Sequence, residues 1–326
     1  MLALVTGGTG FIGSHLVEQL SQRGYSVRCL VRKTSNLQWL QHLNPEFRYG
    51  DLFDNDVVKN ALDGVDIVFH SAGVTKAKRK EEYYHGNQFA TKNFLAQVTK
   101  HHPNLKKFVH ISSQAAVGPS FSEQPIDETV PFHPITTYGK SKMEAERECF
   151  NFFSHLPLTI VRPPTVFGER DTDVYNFFKT VKAGIIPMIG FNRKAISIIH
   201  AADLVNGVIG AGESEKTTGQ TYFLTSSNTI TWESFGKMAA KALEKRTVNI
   251  RIPEFLVYGI FGVGEILSRF SSKPSIINWE KARDATQQFW TCSSEKAKQD
   301  FGFRELFPLE ERVRQTIAWY KQQGWL

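Results

Sequence analysis

The sequence predicts an α/β protein: a doubly wound parallel Rossmann sheet with a smaller C-terminal substrate-binding lobe. Three observations carry this. A strand, a glycine-crowded turn and a helix open the chain. Strand and helix patterns then alternate at roughly thirty-residue spacing. Residues suited to ligand chemistry recur where those strands end.

The opening stretch is MLALVTGGTGFIGSHLVEQL. Leu2 to Val5 read as a buried strand, Gly7, Gly8, Gly10 and Gly13 as the turn. Ile12, Leu16, Val17 and Leu20 then share one helical face. In this context the G-x-G-x-x-G of Gly8, Gly10 and Gly13 is a dinucleotide fingerprint. Its glycines permit a tight turn, close approach of a pyrophosphate and close packing of helix on strand. The helix N-terminus adds free N–H groups and partial positive charge. Gly7, Gly10, Phe11, Ile12 and Gly13 are therefore candidate cofactor-binding residues.

Ser26 to Val31 form the second strand, ending at Arg32, Lys33, Thr34 and Ser35. NAD-binding units place an acidic residue about twenty positions past the glycines, on the ribose 2′-hydroxyl. Here Arg32 stands nineteen positions past Gly13, with no Asp or Glu beside it. A guanidinium pairs with a 2′-phosphate, so NADP(H) is the expected preference, with NAD(H) as the alternative. The competing reading of Arg32 is an exposed loop arginine.

A third strand ends at Asp51-Leu52, and a fourth, Asp66 to Ser71, runs into Ala72-Gly73-Val74. A helix is expected over 87–101, then a fifth strand from Lys107 to Ser113. Ligands on such sheets sit beyond the carboxyl ends of the strands. The glycine turn, Arg32, Asp51, Leu52, Ala72 and Ser113 all fall there.

Tyr138-Gly-Lys-Ser-Lys142 opens a long helix reaching about Phe153. Tyr138 and Lys142 are i and i+4 and share a face. An ammonium beside a phenol favours the phenolate and lowers its pKa from about 10, so Tyr138 is the candidate general acid or base for a carbonyl–alcohol pair. A second Tyr-x-x-x-Lys, Tyr175 to Lys179, lacks the preceding serine-ended strand and reads as a chance match.

After the strand Leu158 to Arg162 and Pro163-Pro164, regular alternation stops. Residues 1–165 read as the NAD(P)-binding domain. Residues 166–326 read mainly as the substrate lobe, with some strands returning to the Rossmann sheet. Helices are expected over about 203–211, 232–244 and 309–322, and a strand over 221–224.

Composition narrows the function. The 326 residues are 41% hydrophobic and 22% charged, ordinary for a globular protein. The net charge of +7 is spread out, apart from Lys76, Lys78, Arg79 and Lys80, and no aromatic-interleaved basic stripe points to nucleic acid. Three distant cysteines, an odd number, fit a reducing compartment and a cytoplasmic location. The N-terminal apolar run is too short for a signal peptide. Phe255 to Gly264 is ten residues, against about twenty needed to cross a bilayer. It reads as a buried or pocket-lining helix, with weak membrane-surface contact as the alternative. No zinc-ligand spacing, nucleophile elbow or Walker loop is present.

Together these residues resemble the extended short-chain dehydrogenase/reductase family, often called NAD-dependent epimerase/dehydratases. The landmarks are T-G-G-T-G-F-I-G at 6–13, Asp51-Leu52, H-S-A-G at 70–73, I-S-S at 111–113, Y-G-K-S-K at 138–142, R-P-P-x-V-F-G at 162–168 and H-A-A-D at 200–203. The resemblance covers essentially the whole chain. The resemblance implies that Tyr138 is the catalytic acid/base, that Lys142 holds the nicotinamide ribose and tunes Tyr138, and that Ser113 hydrogen-bonds the reacting oxygen. It places Asp51 and Leu52 at the adenine and Ala72 at the ribose–phosphate region. Asn87, His200 and Asp203 match family positions; His200 and Asp203 read as structural, and Asn87 as helix-capping or structural, with a proton-relay role as the alternative. Many sugar-nucleotide members carry a Tyr-Gly pair four residues after the serine, where this chain has Val117-Gly118. With the missing acid after the second strand and the apolar run at 255–264, the chain looks closer to hydroxysteroid-dehydrogenase-like and dihydroflavonol-reductase-like members than to a sugar epimerase.

The function implied is an NADP(H)-preferring oxidoreductase acting on the carbonyl or alcohol of a small, fairly apolar molecule. The alternatives are a sugar-nucleotide epimerase or dehydratase that recycles its cofactor, and a non-catalytic cofactor sensor. A homodimer through the helices near 87–101 and 138–153 is the family expectation. No metal is expected.

Overall fold

The computed structural model of the protein describes residues 1–268 and 279–326. The first half runs β1 (Leu2–Thr6), α1 (Phe11–Gln22), β2 (Ser26–Val31), β3 (Glu46–Tyr49), α2 (Asn55–Leu62), β4 (Ile67–His70), α3 (Lys80–Tyr84), α4 (Ala90–His101), β5 (Lys107–Ile111), α5 (Thr137–Asn151) and β6 (Leu158–Arg162). The second continues with β7 (Thr165–Phe167), α6 (Asp173–Lys182), β8 (Ile185–Ile189), β9 (Ala195–Ile196), β10 (Ile198–His200), α7 (Ala201–Glu213), β11 (Gln220–Phe223), β12 (Ile230–Thr231), α8 (Trp232–Leu243), β13 (Val248–Ile252), α9 (Glu254–Ser268), α10 (Trp279–Thr286), β14 (Phe289–Trp290), α11 (Glu295–Phe301) and α12 (Leu309–Gln322).

Strands β4, β5 and β6 are buried along their whole length, which is why they read as apolar runs rather than alternating ones. They belong to a seven-stranded sheet ordered β11-β6-β5-β4-β1-β2-β3, parallel throughout. One apolar layer, including Leu16, Leu20, Phe69, Val205 and Val208, joins it to α1 and α7. The other, including Val58, Phe94, Phe108 and Cys149, joins it to α2, α4 and α5. The chain builds outward from β1 to β3, then crosses back to start β4 on the other side of β1. Strand order reverses there, and a crevice opens beyond the carboxyl ends.

The second half supplies α7 and β11 to this sheet and builds three small sheets, β10-β7, β12-β9-β14 and β13-β8. A separate aromatic core, with Phe167, Phe178, Phe235 and Tyr320, holds them together. Tyr175 belongs to this core, its hydroxyl donating to the Trp325 carbonyl and Lys179 over its ring, away from the crevice.

Two expectations need correction. The third strand stops at Tyr49, and Asp51 instead begins a turn, accepting from Phe53 N–H at 2.9 Å. The apolar run at 255–264 is helical but not buried. Phe255, Leu256 and Ile260 are 71%, 46% and 57% exposed, while Val257 is buried. The helix follows β13 at the edge of a two-stranded sheet and meets α10 on one face, through Tyr258 against Trp279 at 5.0 Å. A ten-residue apolar run reads the same whether one face or both are covered.

Helix α5 is fixed to the sheet by a buried polar cluster. Glu146 accepts from Ser112 Oγ at 2.5 Å and pairs with the Arg162 guanidinium, Nη2 to Oε2 2.6 Å, both side chains at most 4% exposed. Phe132 and Phe223 flank that guanidinium at 5.2 and 5.5 Å. Breaking such a pair strands a charge in the interior. We expect Glu146→Ala to lower unfolding free energy by about 3–5 kcal/mol in urea titration; a loss below about 1 kcal/mol contradicts this anchor.

Candidate active site

The β1–α1 turn is built by backbone contact that only glycine allows. Gly7 has φ +73°, and a Cβ there would lie 2.6 Å from Ala72 N, so the turn seats against the end of β4. A Cβ on Gly13 would lie 2.1 Å from the Gly7 carbonyl oxygen. Gly10 caps α1 without any side chain, and the first turn carries no acid. The N–H groups of Phe11, Ile12 and Gly13 therefore face the crevice side of the turn unclaimed by a side-chain cap. Ala72 N approaches Thr6 Oγ1 at 3.4 Å.

The other predicted residues lie along the same rim. Arg32 follows β2, and its side chain is exposed with no partner among the described residues. Asp51 is exposed, and Leu52 packs under the rim while its carbonyl accepts from Asn93 at 2.7 Å. Ser113, beyond β5, accepts from Ala115 N–H at 3.1 Å and opens a short 3-10 turn.

Tyr138 and Ser113 meet. The serine hydroxyl lies close enough to the half-buried phenol to favour its ionisation, but burial outweighs this and raises the phenol pKa above the ordinary value. Tyr83 lies edge-on to Tyr138 at 6.3 Å. Lys142 is buried, donates to the Ile111 carbonyl at 2.9 Å, and burial lowers its pKa to about 8 against the opposing pull of Glu146. Burial sets the direction of the Tyr138 shift, while the Lys142 ammonium is engaged by the Ile111 carbonyl at the end of β5.

Asn87 bridges two segments. It accepts from Val74 N–H at 2.7 Å and donates to the Val74 carbonyl at 3.0 Å and to Ser141 Oγ at 2.8 Å. Ser141 in turn donates to the Tyr138 carbonyl at 2.7 Å, so the loop after β4 is tied to α5. His200 is also satisfied: Nδ1 accepts from Ala202 N–H, and Nε2 meets Thr316 Oγ1 at 3.2 Å and the Glu169 carboxylate at 3.3 Å. Asp203 pairs with Arg312. Tyr83 and two acids on α10 near Tyr138, Glu280 and Asp284, carry no sequence signal that marks them. Among the described residues no group of acids, histidines and cysteines is placed to hold a metal ion, and no helix is long and apolar enough to cross a membrane.

The family model for the NAD dependent epimerase/dehydratase family matches residues 3–224. The chain belongs to that family. Relatives of this epimerase/dehydratase-family protein include dehydrogenases and reductases, as the resemblance implied. A ceramide reductase of Caulobacter vibrioides (strain NA1000 / CB15N) is 28% identical over 334 residues, 99% of this chain and 95% of that protein. A decarboxylating sterol-4-alpha-carboxylate 3-dehydrogenase of Mus musculus is 27% identical over 334 residues, 96% and 89% of the two. The structure of UDP-glucuronic acid 4-epimerase from Bacillus cereus in complex with NAD shares the fold, with a TM-score of 0.79, 22% identity and 99% of each chain covered. The family member described here is an enzyme that uses a nicotinamide dinucleotide. Its own residues fit that cofactor: the glycine cradle at the strand-order reversal and the uncapped α1 N-terminus suit a pyrophosphate.

Beneath the rim lie two buried histidines. His70 is held between Thr6 Oγ1 at 2.7 Å and Thr91 Oγ1 at 3.0 Å, while the His110 ring, 5.3 Å away, has no hydrogen-bond partner among the described residues. Burial, reinforced by the Lys142 charge, lowers His70 to about 3 and His110 well below the usual range. The unfolded chain binds these protons near pH 6.5 and the folded one does not, so stability falls as pH drops below about 6.5. His110→Phe should flatten unfolding free energy against pH between 6.5 and 4.5, by up to about 1.4 kcal/mol per pH unit. Parallel curves for the two proteins would contradict the buried neutral imidazole.

Proposed function

We propose that the protein is an NADP(H)-preferring reductase that converts a carbonyl of an apolar, lipid-like molecule to an alcohol, with Tyr138 as proton donor. The observation that carries this reading is the Ser113–Tyr138 pair at the crevice rim, with the phenol held protonated by burial. A neutral phenol is the form a reduction needs. When bound, the nicotinamide supplies the hydride to the carbonyl carbon. Tyr138 gives its proton to the oxygen as negative charge develops there, and the Ser113 hydroxyl stabilises that oxygen. The Lys142 ammonium, below the phenol on α5, favours the tyrosinate left behind, which then regains a proton from solvent.

The preference for NADP(H) rests on Arg32, exposed and unpaired where NAD-binding units carry an acid. The lipid-like substrate is supported by relatives named for ceramide and sterol chemistry and by Val117 in place of the tyrosine of sugar-nucleotide members. The second reading, a sugar-nucleotide epimerase, draws on the shared fold alone. Phe89 and Phe150 are exposed at α4 and α5; a homodimer of the family type would cover them, which sedimentation equilibrium reads.

The test incubates the protein with NADPH or NADH and a long-chain 3-ketone, a 3-ketosteroid or UDP-glucose, following nicotinamide absorbance and product mass. Net NADPH oxidation with two hydrogens gained by a ketone is expected; sugar conversion without cofactor loss would replace this reading by the epimerase. Tyr138→Phe should lower kcat by about 10²–10⁴, and unchanged turnover would remove Tyr138 from the mechanism. Arg32→Ala should weaken NADPH binding by about tenfold or more while sparing NADH; equal losses for both cofactors would sink the phosphate-reader assignment.

A further inference from the structure

We propose that Glu280, on α10 of the C-terminal lobe, is a positioning residue for Tyr138: it caps the first turn of α5 from outside the Rossmann half. This rests on the reading of Tyr138 as the acid/base. One carboxylate oxygen of Glu280 accepts the Thr137 backbone N–H at 2.9 Å, and the other accepts the Thr137 hydroxyl at 2.6 Å, across 143 residues of sequence. Thr137 is the residue before Tyr138 and is buried. The helix's own cap, Thr136, already accepts from Gly139 N–H at 3.0 Å. The two caps divide the donors of the first turn, one from within the helix and one from the other lobe.

The sequence of α5 makes the outside cap necessary. Its first turn contains no acidic residue, and the residues that follow include Lys140 and Lys142. A carboxylate at the N-terminus offsets the partial positive charge there. Glu280 supplies it from a distance. The far end of α10 is fastened to the lobe, with Lys194 Nζ donating to the Thr286 carbonyl, Thr286 Oγ1 bonded to Tyr258 at 3.0 Å, and Trp290 Nε1 donating to the Asp284 carbonyl at 3.1 Å. The helix is therefore a strut with one end in the substrate lobe and the other on the residue next to the acid/base. A shift of the lobe is carried to the first turn of α5.

Charge follows the same route. The groups facing the phenol are Tyr83 from α3, Asp284 from α10 and the Ser113 hydroxyl beyond β5; Lys142, on the same helix, turns to the Ile111 carbonyl. Asp284 lies one turn along α10 from Glu280, and its negative charge favours the protonated phenol. The strut therefore places the acid and helps hold its proton.

Glu280→Ala and Glu280→Gln test this. The amide keeps two polar atoms for Thr137 and loses the charge; alanine loses both. Amide hydrogen exchange over residues 137–142 reads the cap directly. Turnover with NADPH and the 3-ketosteroid or long-chain 3-ketone reads the placement of the acid. In Glu280→Ala, protection over 137–142 and kcat should each fall about tenfold, with KM for NADPH within about twofold. In Glu280→Gln, whose amide oxygen still accepts the Thr137 N–H, protection and kcat should recover to within about twofold of wild type. Wild-type exchange and wild-type kcat in Glu280→Ala would overturn the proposal. If Glu280→Ala fails to fold, Thr137→Val, which removes only the hydroxyl contact to Glu280, decides on the same two readouts. Tyr138→Phe separates the readings: full turnover there overturns the acid/base role and this proposal with it. An inactive Tyr138→Phe beside an unaffected Glu280→Ala overturns this proposal only.

Discussion

Glu146 is the carboxylate on which the geometry of the site depends. It lies on the same face of α5 as Lys142, one turn further on, and is fully buried between that helix and β6. An isolated charge there would be costly, and the bidentate Arg162 pair with the Ser112 hydroxyl is what makes it tolerable. Because both partners sit on different elements, satisfying the charge fixes the rotation of α5 against the sheet. Tyr138, two turns earlier, is thereby aimed at Ser113, the residue after Ser112. The same carboxylate opposes the loss of charge on Lys142 that burial would impose.

A second constraint acts on the opposite wall of the crevice. The contact of Gly7 with the Ala72 backbone and of Gly13 with Gly7 brings the β1–α1 turn against the end of β4. From there Asn87 fastens the loop after β4 to α5 through Val74 and Ser141. The cofactor cradle and the Tyr138 helix are thus parts of one bonded framework, and a change at either wall is felt at the other.

What the sequence made legible was whatever is local. The glycine turn, the strand-end positions of Arg32, Ala72 and Ser113, and the four-residue spacing of Tyr138 and Lys142 depend on neighbours within a few residues. C-terminal helix α12 (Leu309–Gln322) was legible too, because its apolar period is strong. The direction of the Lys142 side chain was not. It is decided by the Ile111 carbonyl and by Glu146 below it, neither visible from a Tyr-x-x-x-Lys pattern. Glu280 was invisible for the same reason: its partner lies 143 residues away. The apolar decad at 255–264 misled because hydrophobicity reports preference, while exposure depends on how many elements surround the helix.

The order in which the sheet is completed has a consequence for synthesis. The edge strand β11 comes from residues 220–223, yet it covers β6, which ends at residue 162. A growing chain that has emerged as far as β6 therefore carries an unpaired parallel edge, lined by apolar side chains, for some sixty further residues. The Glu280 contact to α5 forms later still. The segments that complete the sheet and the Tyr138 turn are thus the later ones in the chain.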